Sequence, residues 1–278
     1  MDKLMEFLTR KIPIGEVVAD LVDFMMRTFG PEFRTFSGLL EGFIKQIEWA
    51  FSSMHPLMVI AIFTLSSWLL RKSKGVSLFC LLGFILILNL GLWKEMIETL
   101  ALILTSTILS LIIGIPVGIL NAHNKAADIA TRPILDFMQT IPPFVYLIPA
   151  LMFFGLGEVP GVIATVIFAM PPAIRLTCLG IQQVPDELIE AGRAFGCNTW
   201  QMLFKIELPS AFPSIMMGVN QAIMMALSMV VIAALIGAGG LGASVMRSLA
   251  MVDVGLGFES GLGIVILAML LDRIIRST

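Results

Sequence analysis

Three cysteines (Cys80, Cys178, Cys197) and two histidines (His55, His123) are the residues best suited to redox or metal chemistry, and their spacing gives them none. No C-x-x-C pair occurs and the histidines stand alone, so sequence neighbours assemble neither a disulfide framework nor a metal cluster. The chain also has no G-x-x-x-x-G-K-[ST] phosphate loop, no G-x-S-x-G and no H-E-x-x-H. GAGGLG at 237–242 looks like a nucleotide loop but follows an apolar helix with no strand before it, so it is read as an outer loop. No catalytic residue, metal ligand or cofactor is assigned to this chain, and any ATP must be hydrolysed elsewhere.

Polar groups inside the apolar stretches could instead line a path. Gln139, Asn220 and Gln221 are amides in such positions, and they either bond between helices or face a passage. Met224, Met225 and Met229 follow at helical spacing and either pack or form a flexible seal. With Tyr146, the sole tyrosine, these seven residues are the candidates for a translocation path. Pro116, Pro142, Pro143, Pro149, Pro171 and Pro172 interrupt hydrogen-bond ladders, which is tolerated at membrane depth where protein packs the break or a cavity meets it. Asp136, Glu259 and Asp272 fall near the ends of apolar stretches, so the mid-membrane ionisable pair of a secondary carrier is missing. Gly114-x-x-x-Gly118 permits a close helix contact, although such matches arise often by chance.

The elements that must hold these residues are membrane spans. Of 278 residues 58% are apolar and only 14% charged, against roughly a quarter charged in a soluble domain. The formal net charge of −2 offers nucleic acid no attractive field. Seven stretches are apolar over about the 20 residues a spanning helix needs: 54–70, 76–93, 97–120, 134–154, 161–181, 211–236 and 256–275. Strand alternation is absent, which excludes a barrel. Ten lysines and arginines, Arg175 and Arg276 among them, fall at one set of span ends and two, Lys94 and Arg247, at the other. The positive-inside rule then puts the C-terminus in the cytoplasm and the first fifty residues outside. That tail has two amphipathic runs, one with Ile14, Val17, Val18, Leu21 and Met25 on a face, the other with Phe33, Phe36, Leu40, Phe43 and Ile47. Such helices lie in the membrane interface or pack on a neighbouring span.

Between the fifth and sixth spans, residues 182–210 read as helix, turn, helix. Asp186 caps a short helix that Gly196 ends; Asn198 or Thr199 caps a second, which Pro209 stops before the next span. The spacing here is specific: Glu190, Ala191 and Gly192, three residues, Gly196, nine residues, then Ile206, Leu208 and Pro209. This resembles the cytoplasmic E-A-A, G, I-x-L-P signature of importer-type ABC transporter permeases, departing from it only by Gly192 in place of alanine. The runs LDFMQTIPPFVYLIPALMFFGLGEVPGVIATVIFAMPPAIR and NQAIMMALSMVVIAALIGAGGLG look like the permease subunits of glycine betaine and proline betaine uptake systems. The likeness covers residues 76–275.

The resemblance implies an all-α polytopic membrane protein of a prokaryotic cell membrane, with about seven spans, a five-helix importer core over 97–278, two peripheral spans over 54–96 and the tail over 1–53. It implies a permease homodimer in the lipid bilayer on two cytoplasmic ATP-binding subunits, which bind the ATP and magnesium, and an extracytoplasmic substrate-binding protein. Residues Ala191 to Gly196 would be the coupling helix seated in the ATPase, with Phe195 as apolar anchor and Ala194 and Gly196 allowing close approach. Glu190 and Arg193, three apart, either pair on the helix or stand solvated. The four tryptophans sit near span ends or in the loop, so an aromatic cage for a quaternary ammonium is not expected here. Choline, carnitine or proline are alternative cargoes, and an ATP-independent carrier or channel is the alternative class.

Overall fold

The computed structural model describes residues 13–275; the first twelve residues of the tail and Arg276 lie outside them. Among the described residues the regular structure is helical throughout. The helices are α1 (Ile14–Ser52), α2 (Pro56–Arg71), α3 (Lys74–Asn89), α4 (Trp93–His123), α5 (Lys125–Thr140), α6 (Pro143–Phe154), α7 (Glu158–Gln182), α8 (Asp186–Ala194), α9 (Thr199–Met202), α10 (Leu208–Ala233), α11 (Gly240–Met251) and α12 (Val254–Ile275).

Among the described residues four helices are long and apolar enough to cross a membrane, or up to six spans if each of two bent pairs counts as one. The expected count of seven is thus approximate. The 31 residues of α4 make a rod of about 46 Å at 1.5 Å per residue. At 16 residues α3 is shorter than a full crossing, and Trp93, expected to close that span, begins α4 instead.

The expected straight span over 134–154 is corrected to a corner, with α5 and α6 meeting at 96°. Its cause is the Ile141-Pro142-Pro143 sequence. A residue before proline is pushed out of the helical region, and here two in succession are extended: Ile141 at φ −68°, ψ 131° and Pro142 at φ −53°, ψ 133°. Tyr146 clamps the corner, its hydroxyl donating to the carbonyls of Met138 and Ile141, the latter at 2.8 Å.

At the centre α7 packs along α4 on one side and α10 on the other. Small residues set the approach. A methyl on Gly118 would lie 2.7 Å from both the Ile174 carbonyl oxygen and Thr177 Cβ, and one on Gly180 2.7 Å from Ser214 Cβ. The Gly114-x-x-x-Gly118 stripe is therefore the α4–α7 contact and not a chance match.

The two amphipathic runs of the tail form one helix, kinked at Phe29 (φ −116°, ψ 17°) just before Pro31, whose ring opposes the carbonyl four residues back. Beyond the kink α1 packs on the bundle: Leu40 and Ile44 are buried, and Phe33 stacks on Phe153 with centroids 4.8 Å apart. Before the kink Val17, Leu21 and Phe24 are exposed. The helix meets α2 at 96°, so it runs across the direction of the spans.

Candidate functional site

The segment from Asp186 to Pro209 forms the expected helix, turn and helix, but Asp186 is not the cap of the first: Pro185 holds that position, with no side-chain cap bond, and Asp186 is the first helical residue. Asp186 and Glu187 occupy the first turn of α8, where carboxylates favour the helix dipole, and Arg193 the last. Gly196, at φ +74°, supplies the left-handed residue that ends the helix. The Cys197 N–H then donates to the Gly192 carbonyl and the Gly196 N–H to the Arg193 carbonyl, both at 3.0 Å. Immediately after, Asn198 and Gln201 form a reciprocal capping box at 2.8 and 2.9 Å, which settles Asn198 as the cap of α9.

Pro209 does not stop this second helix. A five-residue π turn, Leu203–Glu207, joins α9 to α10, and the Leu208 N–H bonds to the Leu203 carbonyl five residues back. The widened turn shifts the register immediately ahead of Pro209, which sits at the tolerant start of α10 with no N–H to leave orphaned. The result is one rod from Thr199 to Ile236, so any push on the loop acts directly on a span.

The two halves of the signature are packed together. Gly192 is buried against Ile206 and Met202, and a methyl added there would lie 2.5 Å from Ile206 Cδ1 and 2.9 Å from Met202 Cε. Both are far ends of flexible side chains. Replacing Gly192 by alanine is therefore expected to leave ATP-driven uptake within about twofold of wild type and to cost under roughly 1 kcal/mol, checked by uptake and thermal unfolding of the same preparation. Leu208 is half-buried, and Pro209 is exposed.

Outward the loop presents apolar surface. Phe195 is 90% exposed at the tip, and Trp200 and Phe204 stack with ring centroids 5.9 Å apart while remaining 70% and 60% exposed. Glu190, Ala191, Arg193 and Ala194 are exposed beside them, and among the described residues Glu190 and Arg193 form no ion pair. Exposed aromatics on a rigid knob are what a protein partner's groove anchors on. Sequence reasoning missed Trp200 and Phe204; their four-residue spacing on a capped helix was the available signal.

Near the loop, between α4, α5 and α7, lies a cleft of about 350 Å³ lined by Asn121, Leu135, Ile174 and two ion pairs. Arg175 bonds to Asp136 at 2.6 Å and Arg132 to Asp128 at 2.5 Å. Arg175 thus joins α7 to α5 instead of simply reaching for the interface.

At the opposite end GAGGLG forms the expected loop over residues 237–239 and then opens α11 at Gly240, a helix not expected from the sequence. Its first amides are capped from α4: the Gly240 N–H donates to Glu98 Oε2 at 2.7 Å and the Leu241 N–H to Thr99 Oγ1 at 2.8 Å. Gly240 stands at φ +78° with Thr99 Oγ1 against its Cα, so the glycines serve helix docking and not a nucleotide.

Of the path candidates, Gln221 and Met224 lie on an open face of α10 with Met217 and Ser228, at i, i+4, i+7 and i+11 spacing. Asn220 donates to Asp272 on α12 at 2.9 Å. Met225 packs against the main core, Met229 is fully buried beside Tyr146, and Gln139 is half-buried before the corner.

The sequence of this chain is similar to that of known transport proteins over nearly its whole length. The glycine betaine transport system permease protein OpuAB of Bacillus subtilis is 47% identical over 267 residues, covering 96% of this chain and 94% of the relative. The glycine betaine/carnitine transport permease protein GbuB of Listeria monocytogenes is 45% identical, covering 96% and 95%. The glycine betaine/proline betaine permease protein ProW of Escherichia coli is also 45% identical, covering 96% of this chain and 75% of its own length. Among solved structures, the MetNI methionine ABC transporter in an inward-facing conformation aligns with TM-score 0.59 at 25% identity, over 64% of this chain and 92% of the neighbour. The family described as binding-protein-dependent transport system inner membrane component matches residues 110–276, which contain the loop, the α7–α10 pair and α12. The chain belongs to that family of multi-pass inner membrane permeases of ABC importers, within its glycine betaine uptake group.

Proposed function

We propose that this chain is the translocating subunit of an ATP-driven importer of glycine betaine or a closely related osmoprotectant. The observation that carries the reading is the exposed knob of Phe195, Trp200 and Phe204 built directly onto the α9–α10 rod. ATP is bound and hydrolysed by two copies of a cytoplasmic ATP-binding subunit seated on two such knobs, and a substrate-binding protein delivers cargo to the opposite face. The loop end then faces the cytoplasm, with the C-terminus inside and α1 outside. Two copies of the permease face each other across the α10 stripe of Met217, Gln221, Met224 and Ser228. That stripe is polar enough to wet but uncharged, which suits a weakly held zwitterion, and it leaves high-affinity recognition to the binding protein.

The test is uptake of labelled glycine betaine into vesicles holding this chain, its ATPase and its binding protein, with choline, carnitine and proline as competitors. Uptake that requires internal ATP and yields to betaine supports the reading. ATP-driven uptake of another solute changes the cargo, and uptake by the chain alone without ATP overturns the importer.

A further inference from the structure

We propose that α4 is a rod bonded at both ends that carries displacement of the coupling loop to the opposite face, with His123 and Glu207 as the positioning residues of its lower link. The inference rests on the importer reading and concerns how its loop acts.

Glu207 occupies the unassigned position of the I-x-L-P run, inside the π turn between α9 and α10. It is only 8% exposed, and a carboxylate so buried is retained only with a partner. The partner is His123, the last residue of α4, whose Nε2 lies 2.9 Å from Glu207 Oε2 across 84 residues of sequence. The ring is itself fixed, because Nδ1 lies 2.9 Å from the Ile119 carbonyl oxygen one turn back. A carbonyl only accepts, so Nδ1 donates there. The contact with Glu207 then places one proton between Nε2 and Oε2, a bond that ties the end of α4 to the π turn.

The other end of α4 is bonded in the same way to a different element. Glu98 and Thr99 accept from the first two amides of α11, at 2.7 and 2.8 Å. Between Glu98 and His123 the helix runs for 25 residue steps, about 38 Å, and is packed on α7 through Gly114 and Gly118 on either side of Pro116. A displacement of the π turn therefore reaches α11, on the face where the binding protein would sit, through one helix, whose ladder lacks the bond of Pro116 but is held there by its packing on α7, and two polar joints.

The test uses the complete complex in vesicles, reading uptake and ATP hydrolysis separately. His123→Ala and Glu207→Ala are each expected to cut uptake about tenfold, within the usual range of inter-site coupling, while hydrolysis stimulated by loaded binding protein stays within about twofold. The double variant is expected to be no worse than either single one. His123→Gln, which keeps a donor toward Glu207, is expected to recover most of the uptake. Glu98→Ala tests the upper joint without touching the lower and is expected to give the same split. Normal uptake in His123→Ala and Glu98→Ala, or parallel loss of uptake, hydrolysis and assembled complex in every variant, would overturn the rod. Absence of ATP-driven uptake in the wild-type complex is a different result and sinks the importer reading itself.

Discussion

Phe195→Asp is expected to abolish ATP-driven uptake while leaving the permease inserted and folded. The ring is 90% exposed at the tip of the loop, so nothing in this chain depends on its burial. The proposed function gives it a use in the ATPase, as the anchor of the loop in that subunit's groove. An aromatic that anchors an interface is worth about 2–4 kcal/mol on truncation, and a carboxylate in the same groove adds desolvation, so the affinity of permease for ATPase should fall by roughly 100-fold or more. Co-purification of the two subunits from membranes reads this directly, with unchanged thermal unfolding of the permease as the control. Unchanged co-purification would mean that the ATPase docks elsewhere.

Gly240→Val is expected to have the second large effect, on stability. The position needs a left-handed backbone at φ +78°, and any Cβ there runs into Thr99 Oγ1, which rotates away only by giving up its bonds to the Leu241 N–H and the Glu95 carbonyl, and into the backbone nitrogen of Thr99, which cannot rotate away. Left-handed strain of about 1–2 kcal/mol and overpacking of about 1–3 kcal/mol combine with loss of the Glu98 and Thr99 caps. A cost of about 3 kcal/mol or more should appear as a large drop in the unfolding midpoint in detergent. Gly196→Ala is the internal comparison. Its φ of +74° imposes the same backbone strain, but no atom lies within 4 Å of the added methyl, so about 1 kcal/mol is expected there. Equal midpoints for the two variants would contradict this account of the α4–α11 joint.

The difference between those glycines also explains what could be read in advance. The coupling loop was legible because its information is local: a capping asparagine, a left-handed glycine and a proline at fixed spacing each dictate the backbone within a few residues. The long apolar helices α4, α7, α10 and α12 were legible because hydropathy over about 20 residues reports burial in lipid or protein. Hydropathy carries no direction, however, so the apolar stretch through Ile141 looked like one span although two successive prolines turn it through 96°. The loop reading of GAGGLG holds for residues 237–239, but the start of α11 at Gly240 was not legible because its caps come from Glu98 and Thr99, more than 140 residues away. Pro209 was misread as a stop because the π turn that accommodates it has no simple sequence mark.

The candidate site divided along the same line. Glu190, Ala191, Arg193, Ala194 and Phe195 stand together on the loop, where local signals put them. The amides and methionines of α10 share a helix but not a face: helical phase sends Asn220 to Asp272 and Met229 into the core, and leaves Gln221 and Met224 open. Phase is legible from spacing, but which phase meets a partner helix is decided only when α7 and α12 are in place.

The most direct test of the coupling assignment is a photo-crosslink from the tip of the loop. Phe195 is replaced by photoreactive benzoylphenylalanine, which preserves an aromatic anchor, and membranes holding the complete importer are irradiated. A single adduct with the mass of permease plus ATP-binding subunit, suppressed by the Phe195→Asp partner-binding defect when the probe is moved to Trp200, is the expected result. A complex that retains ATP-driven uptake yet gives no adduct from either position would contradict the claim that this knob couples the ATPase to the spans.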